Sequence, residues 1–329
     1  MKYFYSIILL SLCFCQWFDL SHDGYNRSYY VAYPDNIDEF APLIINMHGY
    51  GGNAAGQISY TQMNQYAHDQ GMAVVYPQGL NNSWNVYTYW DNNSYDDVGF
   101  ISDMIDAIAS DFDIDLDRVY ACGMSNGGYM TYRLACDLSD KIAAFGSVTG
   151  NFMLTNSAGD CVDQNREIPI IHFHGTADQI VNYYPPSFDQ SLTVGESIDF
   201  WSEYNNFTQE SVESINSNVE VYTYSKESSP TKFIHYKVYG GNHEWFGSNW
   251  GFQTSQELVN FFLEYQLSDF YATQGDFNDD QTVNVLDVII LVNHILSPEA
   301  VELDGADINE DGNINILDII TLVNIILNQ

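Results

Sequence analysis

A serine, an aspartate and a histidine, met in that order, carry the chemistry for which this chain is equipped. Ser125 sits in Gly123-Met124-Ser125-Asn126-Gly127-Gly128, between an apolar strand-like run at 119–122 and a helical pattern. A serine hydroxyl is a weak nucleophile. Held on a sharp strand–turn–helix, it meets a base and backbone N–H groups, and flanking glycines permit the turn. Asp178 closes His174-Gly175-Thr176-Ala177-Asp178, and His243 lies in Gly240-Gly241-Asn242-His243-Glu244-Trp245, each just after a strand-like run. A histidine base, oriented by a carboxylate that stabilises its imidazolium, makes such a serine competent for acyl transfer. The segment His48-Gly49-Tyr50-Gly51-Gly52 also follows a strand. It assigns the backbone N–H of Tyr50 as one oxyanion donor, with that of Asn126 as the second. His48 is read as shaping this turn and not as the base. Each piece alone is an ordinary strand-end turn or cap; the order serine, aspartate, histidine at successive strand ends is what separates them from that reading.

The elements needed to hold these residues are visible as alternating patterns. Strand-like runs fall at 29–33, 43–47, 73–76, 119–122, 144–148, 168–173 and 233–238, with helical periodicity at 57–70, 98–112, 127–136, 194–204 and 255–266. Strands alternating with helices imply an α/β domain with a mostly parallel sheet covered on both faces, and the site order makes it an α/β-hydrolase fold. The polar stretch 211–230 reads as a loop with at most a short strand. Asp96 and Asp97 read as caps of the following helix. Tyr87, Tyr89, Trp90 and Trp245 are candidates for an aromatic cleft wall, with core packing or loop anchoring as the alternative.

From Asp276 the character changes to two similar units 31 residues apart, each an acidic, Asn-rich loop followed by an apolar helix. Oxygen-bearing side chains recur at loop positions one, three, five, nine and twelve: Asp276, Asn278, Asp280, Asn284 and Asp287, then Asp307, Asn309, Asp311, Asn315 and Asp318. Thr282 and Asn313 would add backbone carbonyls. That spacing surrounds a hard cation, so two Ca2+ ions are expected, with a structural role.

The chain has 329 residues, 9 basic against 44 acidic, and a net charge of −35, which argues against a nucleic-acid partner. Lys2 followed by an apolar run to Phe14 reads as a secretory leader at 1–15, too short to span a membrane. Lipid attachment at Cys13 or Cys15 is the alternative reading, with Leu12 and Phe14 bulkier than a good match has. The expected divisions are then 1–15 leader, 16–271 hydrolase and 272–329 calcium-binding domain, in a secreted or cell-surface protein. In an exported chain Cys136 and Cys161 are the expected disulfide, leaving Cys122 a buried thiol.

Residues 28–266 resemble the secreted esterases grouped as polyhydroxybutyrate depolymerase-like and feruloyl esterase-like α/β-hydrolases. The matching pieces are the 48–52, 123–128, 174–178 and 240–245 segments, together with Tyr76-Pro77-Gln78-Gly79 and Asp96-Asp97-Val98-Gly99-Phe100. The resemblance implies carboxylic-ester hydrolysis through an acyl-serine, without a catalytic cofactor, on feruloyl or acetyl esters of plant or algal polysaccharide. The alternatives are a polyester depolymerase and, in a different class, a non-catalytic adhesion or scaffold protein on the same fold. The C-terminal repeats resemble a type I dockerin, which implies a cohesin-like or cell-surface protein partner. Dockerins contact cohesins partly through small polar residues at positions ten and eleven, where this chain has Val285-Leu286 and Ile316-Leu317; Gln281 also replaces the usual turn glycine.

Overall fold

The computed structural model describes residues 14–35, 37, 40–86, 93–153, 161, 166–187, 190–270, 274–278, 282–296, 303, 305–309 and 311–327. The expected leader lies almost wholly outside them. The chain divides into two compact units, Met1–Leu267 and Ser268–Gln329, a few residues before the division expected at 271.

The first unit is built on strands with no exposed face. β3 (Ala41–Met47), β4 (Ala73–Pro77), β6 (Ala144–Val148) and β7 (Ile170–Gly175) are buried at every position, the pattern of strands covered on both sides. With β1 (Phe14–His22), β2 (Tyr25–Tyr33), β5 (Ile114–Met124), β8 (Gln209–Asn216), β9 (Val219–Lys226) and β10 (Ser229–Val238) they form one sheet, in the order β1-β2-β4-β3-β5-β6-β7-β10-β9-β8. The five central pairings, from β4 through β3, β5, β6 and β7 to β10, are parallel. Both ends are antiparallel. Among the described residues six α-helices accompany it: α1 (Ala54–Thr61), α2 (Met63–His68), α3 (Asp97–Asp111), α4 (Asn126–Asp137), α5 (Val194–Tyr204) and α6 (Thr254–Phe262).

The structure corrects the sequence reading in three places. The helix expected over 57–70 is broken by Gln62, whose left-handed backbone (φ 49°) ends α1 and starts α2. The stretch read as a loop at 211–230 is the β8–β9 hairpin and the start of β10. Every β8 residue is exposed, so the apolar signal that marks a strand is missing there. Asp97 is no cap: Asp96 alone accepts from Gly99 N–H (2.9 Å) at the start of α3. Asp97 instead forms a fully buried ion pair with Arg27 at 2.6 Å and accepts Asn85 N–H at 2.7 Å. Its Arg27 partner also lies 3.8 Å over the Phe100 ring.

Cys136 and Cys161 form a disulfide, and Cys122 is a buried free thiol. In the second unit, α7 (Val285–Leu296) and α8 (Ile316–Leu327) enclose a small core of Val283, Leu291, Ala306, Ile308 and Leu322.

Removing one partner of a buried ion pair strands the other charge in the interior, at a cost of about 3–5 kcal/mol. Asp97→Ala is therefore expected to lower the unfolding free energy by that order in urea titrations. A loss below about 1 kcal/mol, the scale of an exposed pair, would show that Arg27 finds water or another acceptor.

Candidate active site

The turn at Ser125 is forced by close packing of a strand and a helix. A Cβ on Gly123 would lie 2.4 Å from Gly127 O, and one on Gly127 would lie 2.4 Å from Met47 O. Ser125, between β5 and α4, takes φ 56° and ψ −119°, a conformation that side-chain-bearing residues rarely adopt and that stores strain. Neighbours hold it there: its N–H donates to Val148 O (2.8 Å) and its carbonyl accepts Tyr129 N–H (2.9 Å). The loop after β3 approaches the same point, since a Cβ on Gly49 would sit 3.3 Å from Ser125 Cβ.

That loop and the helix start are braced together. The Asn126 amide grips the Trp84 backbone, accepting from its N–H (2.7 Å) and donating to its carbonyl (3.1 Å). Trp84 Nε1–H donates to His48 O at 2.8 Å. His48 Nε2 accepts Gly79 N–H (3.1 Å), so Nδ1 carries the proton and donates to Gly49 O (2.8 Å). Burial lowers the His48 pKa and keeps the ring neutral. These contacts put the side chain of His48 in the turn. They also place Tyr50, 58% exposed, and the first residue of α4, Asn126, on segments that flank Ser125.

Asp178 and His243 come from the ends of β7 and β10, which touch backbone to backbone. A Cβ on Gly175 would lie 2.1 Å from Gly241 O, and Ala177 N–H donates to that carbonyl at 2.9 Å. Asp178 Oδ2 accepts from His243 Nδ1 at 2.7 Å, while Oδ1 accepts from the N–H groups of Ile180 (2.8 Å) and Val181 (2.9 Å). Burial pushes the Asp178 carboxyl up, but the His243 bond and the two backbone donors outweigh it and hold the pKa below its ordinary value. The structure thus joins Asp178 to His243 directly and fixes Ser125 on its turn. The His243 ring remains partly open to solvent.

Behind Asp178 lies a row of buried histidines that the motif reading did not use. His172 and His174, two apart on β7, share a face with His235, which pairs with His172 across the β7–β10 ladder. His174 Nε2–H donates to Val181 O at 2.8 Å, and its Nδ1 faces His172 Nε2 at 3.2 Å. Nε2 also lies 3.5 Å from Asp178 Oδ2, but this is no ion pair, because burial holds His174 down to about 4 and the ring is neutral. Burial likewise brings His235 to about 3 and lowers His172 well below its ordinary value. Period-two spacing of histidines on one strand was the available signal.

Of the expected cleft residues, Trp245 is a loop anchor. It is 9% exposed, and its indole N–H donates to Ser255 Oγ (3.0 Å), which donates to Thr61 O. Tyr87, Tyr89 and Trp90 lie outside the described residues.

In the second unit the two loops repeat one arrangement. Asp287 Oδ1 accepts Phe277 N–H and Oδ2 accepts Asn284 N–H; Asp318 Oδ1 accepts Ile308 N–H and Oδ2 accepts Asn315 N–H, all within 2.9 Å. Both carboxylates are fully buried. Asp307 Oδ2 accepts from Gly312, a residue with φ 84° at the sharp turn. Among the described residues no three His, Cys, Asp or Glu side chains converge on one point. Asp280 lies outside the described residues; Asp276, Asp307 and Asp311 add further carboxylates, and the asparagines add amide oxygens. An oxygen-only donor set rich in carboxylates, with Asp287 and Asp318 fully buried, fits a hard cation and not a transition metal.

Residues 27–181 match the family model described as "Esterase PHB depolymerase", and residues 274–327 match "Dockerin type I domain". The first unit, an α/β-hydrolase fold, is thus similar to the PHB depolymerase-type esterases over those residues, and the second to type I dockerins. Such dockerins are calcium-binding domains. A bifunctional acetylxylan esterase/xylanase of Neocallimastix patriciarum is 28% identical over 225 residues, covering 67% of this chain and 31% of that protein. Feruloyl esterase B of Piromyces equi is 31% identical over 189 residues, covering 56% and 34%. The chain thus spans about a third of the length of these relatives. An acetyl xylan esterase from Aspergillus awamori has a fold similar to that of the first unit, with a TM-score of 0.57 at 15% identity over 75% of this chain and 99% of that one.

Neutral buried histidines tie the first unit's stability to pH. Their folded pKa values are depressed, so the unfolded chain takes up protons first as pH falls below about 6.5. The contribution is complete above that value and is lost as pH falls toward about 4, where His174 itself titrates. Denaturant midpoints are expected to fall across this window, and a flat profile there would show that the rings are already charged in the fold.

Proposed function

We propose that the protein is a secreted serine carboxylic-ester hydrolase acting on feruloyl or acetyl esters of polysaccharide, carried on a calcium-dependent docking module. The observation that carries this reading is the 2.7 Å contact between His243 Nδ1 and Asp178 Oδ2, in a fold that also holds Ser125 strained on its turn at the end of β5. Ser125 Oγ attacks the ester carbonyl as His243 takes its proton. Asp178 holds the ring with Nδ1 protonated, leaving Nε2 as the base, and stabilises the imidazolium. The backbone N–H groups of Tyr50 and Asn126 receive the oxyanion. His243 then protonates the leaving alcohol, and water, deprotonated by the same ring, releases the acid from the acyl-serine. The relatives named as feruloyl and acetylxylan esterases support the substrate class.

Asp276, Asn278, Asp280, Asn284 and Asp287, with the carbonyl of Thr282, would hold one Ca2+. Asp307, Asn309, Asp311, Asn315 and Asp318, with the carbonyl of Asn313, would hold the second. The ions would neutralise the fully buried carboxylates of Asp287 and Asp318 and fix α7 and α8 on their loops. The partner of this module is a cohesin-like or cell-surface protein outside the cell. Among the described residues no helix is long and apolar enough to cross a membrane.

Methyl ferulate, acetylated xylan and a short hydroxybutyrate oligomer separate the substrate classes. The protein is expected to cleave one of the first two, and Ser125→Ala to cleave none. Asp178→Asn is expected to lower kcat by about 10⁴-fold, the effect of fixing the wrong tautomer. Equal inertness of parent and variant would overturn the catalytic reading, and cleavage of the oligomer alone would make it a polyester depolymerase. Removing calcium with a chelator is expected to unfold the second unit, read as lost helical circular dichroism recovered on adding Ca2+. Unchanged helicity would remove the metal from this reading.

A further inference from the structure

The chain carries few cations, and among the described residues one stands apart. Every other described lysine and arginine is engaged by a carboxylate or by backbone carbonyls, with Arg27 on Asp97, Lys232 on Glu264 and Arg166 on Ser139 O as examples. Lys237 has no hydrogen bond or ion pair among the described residues. Its Nζ stands instead among three tyrosine rings, 4.9 Å from Tyr239, 5.6 Å from Tyr183 and 5.7 Å from Tyr222. Glu220 lies opposite it on β9. Glu220 Oε2 accepts from both Tyr222 (2.8 Å) and Tyr239 (2.7 Å), which leaves Oε1 without a partner among the described residues. Tyr184, 62% exposed, packs on Tyr183 with ring centroids 4.8 Å apart.

These groups make a half-exposed tyrosine wall with one uncommitted cationic donor and one uncommitted carboxylate acceptor side by side. Vicinal sugar hydroxyls need that combination: one hydroxyl accepts from an ammonium, its neighbour donates to a carboxylate, and the apolar face of the ring lies on an aromatic surface. The adjacent carboxylate disfavours an acidic sugar, so the fitting ligand is a neutral pyranose.

The position fits a polymeric substrate. Lys237 pairs with His174 on β7, one residue before the strand ends that lead to Asp178 and His243. Tyr183 and Tyr184 follow Asp178 on the same loop. Strand β10 is three ladder steps from β5, which carries Ser125, and β9 is four. At about 4.8 Å per step that sets the wall roughly 15–20 Å to the side of the nucleophile, a few sugar residues along a chain.

We propose that Lys237, Glu220 and the surrounding tyrosines form a remote subsite for unesterified neutral pyranose units of a xylan-type chain whose ester lies at Ser125. The assignment rests on the ester-hydrolase reading above, but its test does not require turnover. Full-length Ser125→Ala protein is titrated calorimetrically with xylohexaose, and Lys237→Met and Tyr184→Ala are compared in the same background. Binding is expected, with each added substitution weakening it about tenfold, the weight of one charge-assisted hydrogen bond or stacked ring. Tyr184 is exposed, so its variant keeps the test decisive if Lys237→Met fails to fold. Absent binding, or equal affinity in all three proteins, would overturn the subsite and leave the cluster as a staple for the hairpin. A protein inert on every ester that still binds xylohexaose through Lys237 would refute the hydrolase reading and leave the subsite standing.

Discussion

The backbone contact between the ends of β7 and β10 governs the arrangement of the first unit. Gly175 has no side chain because Gly241 O occupies the place where a Cβ would be, and the Ala177 N–H bond to that carbonyl locks the two turns together. Asp178 and His243 are 65 residues apart in sequence and come from different loops. Their 2.7 Å contact exists because the loops cannot separate. A hydrogen bond between two mobile loops would lose much of its value to the entropy of ordering them. Here that ordering is already imposed by the strand ladder.

The same economy appears around Ser125. Its strained backbone persists only because Val148 O and Tyr129 N–H hold it from both sides. The Asn126 side chain, the Trp84 indole and the neutral His48 ring tie three segments into one frame. None of these three side chains needs to touch a substrate. They act on geometry, and burial makes each of their hydrogen bonds expensive to lose.

Much of this was legible in the sequence, and what was missed shares one cause. The all-apolar runs of β3, β4, β6 and β7 can only be strands covered on both faces, and the glycine pattern around Ser125 marks a crowded turn. The order of serine, aspartate and histidine follows from the strand ends. Strand β8 was invisible because every residue faces solvent and no apolar alternation marks it; β9, Val-Glu-Val-Tyr-Thr-Tyr, does carry the β-branched and aromatic residues of a strand, a signal masked by its polar flanks. Asp97 looked like a cap because capping is local and visible in sequence, whereas its true partner, Arg27, is 70 residues away. Trp245 looked like a cleft wall for the same reason, since nothing in its neighbourhood announces Ser255.

The hairpin that ends the sheet has a consequence for the protein as a solute. Strand β8 is an outer strand with all eight residues exposed, so one side of its backbone lies along an open edge. Bare edges recruit other strands, and proteins guard them with charge. Glu210 and Glu213 stand on this one, in a chain that already carries a net charge of −35. Another copy approaching edge to edge therefore meets its own charge before any strand pairing can begin. The acidity of the chain then acts as a guard against self-association at one of the sheet's two outer strands.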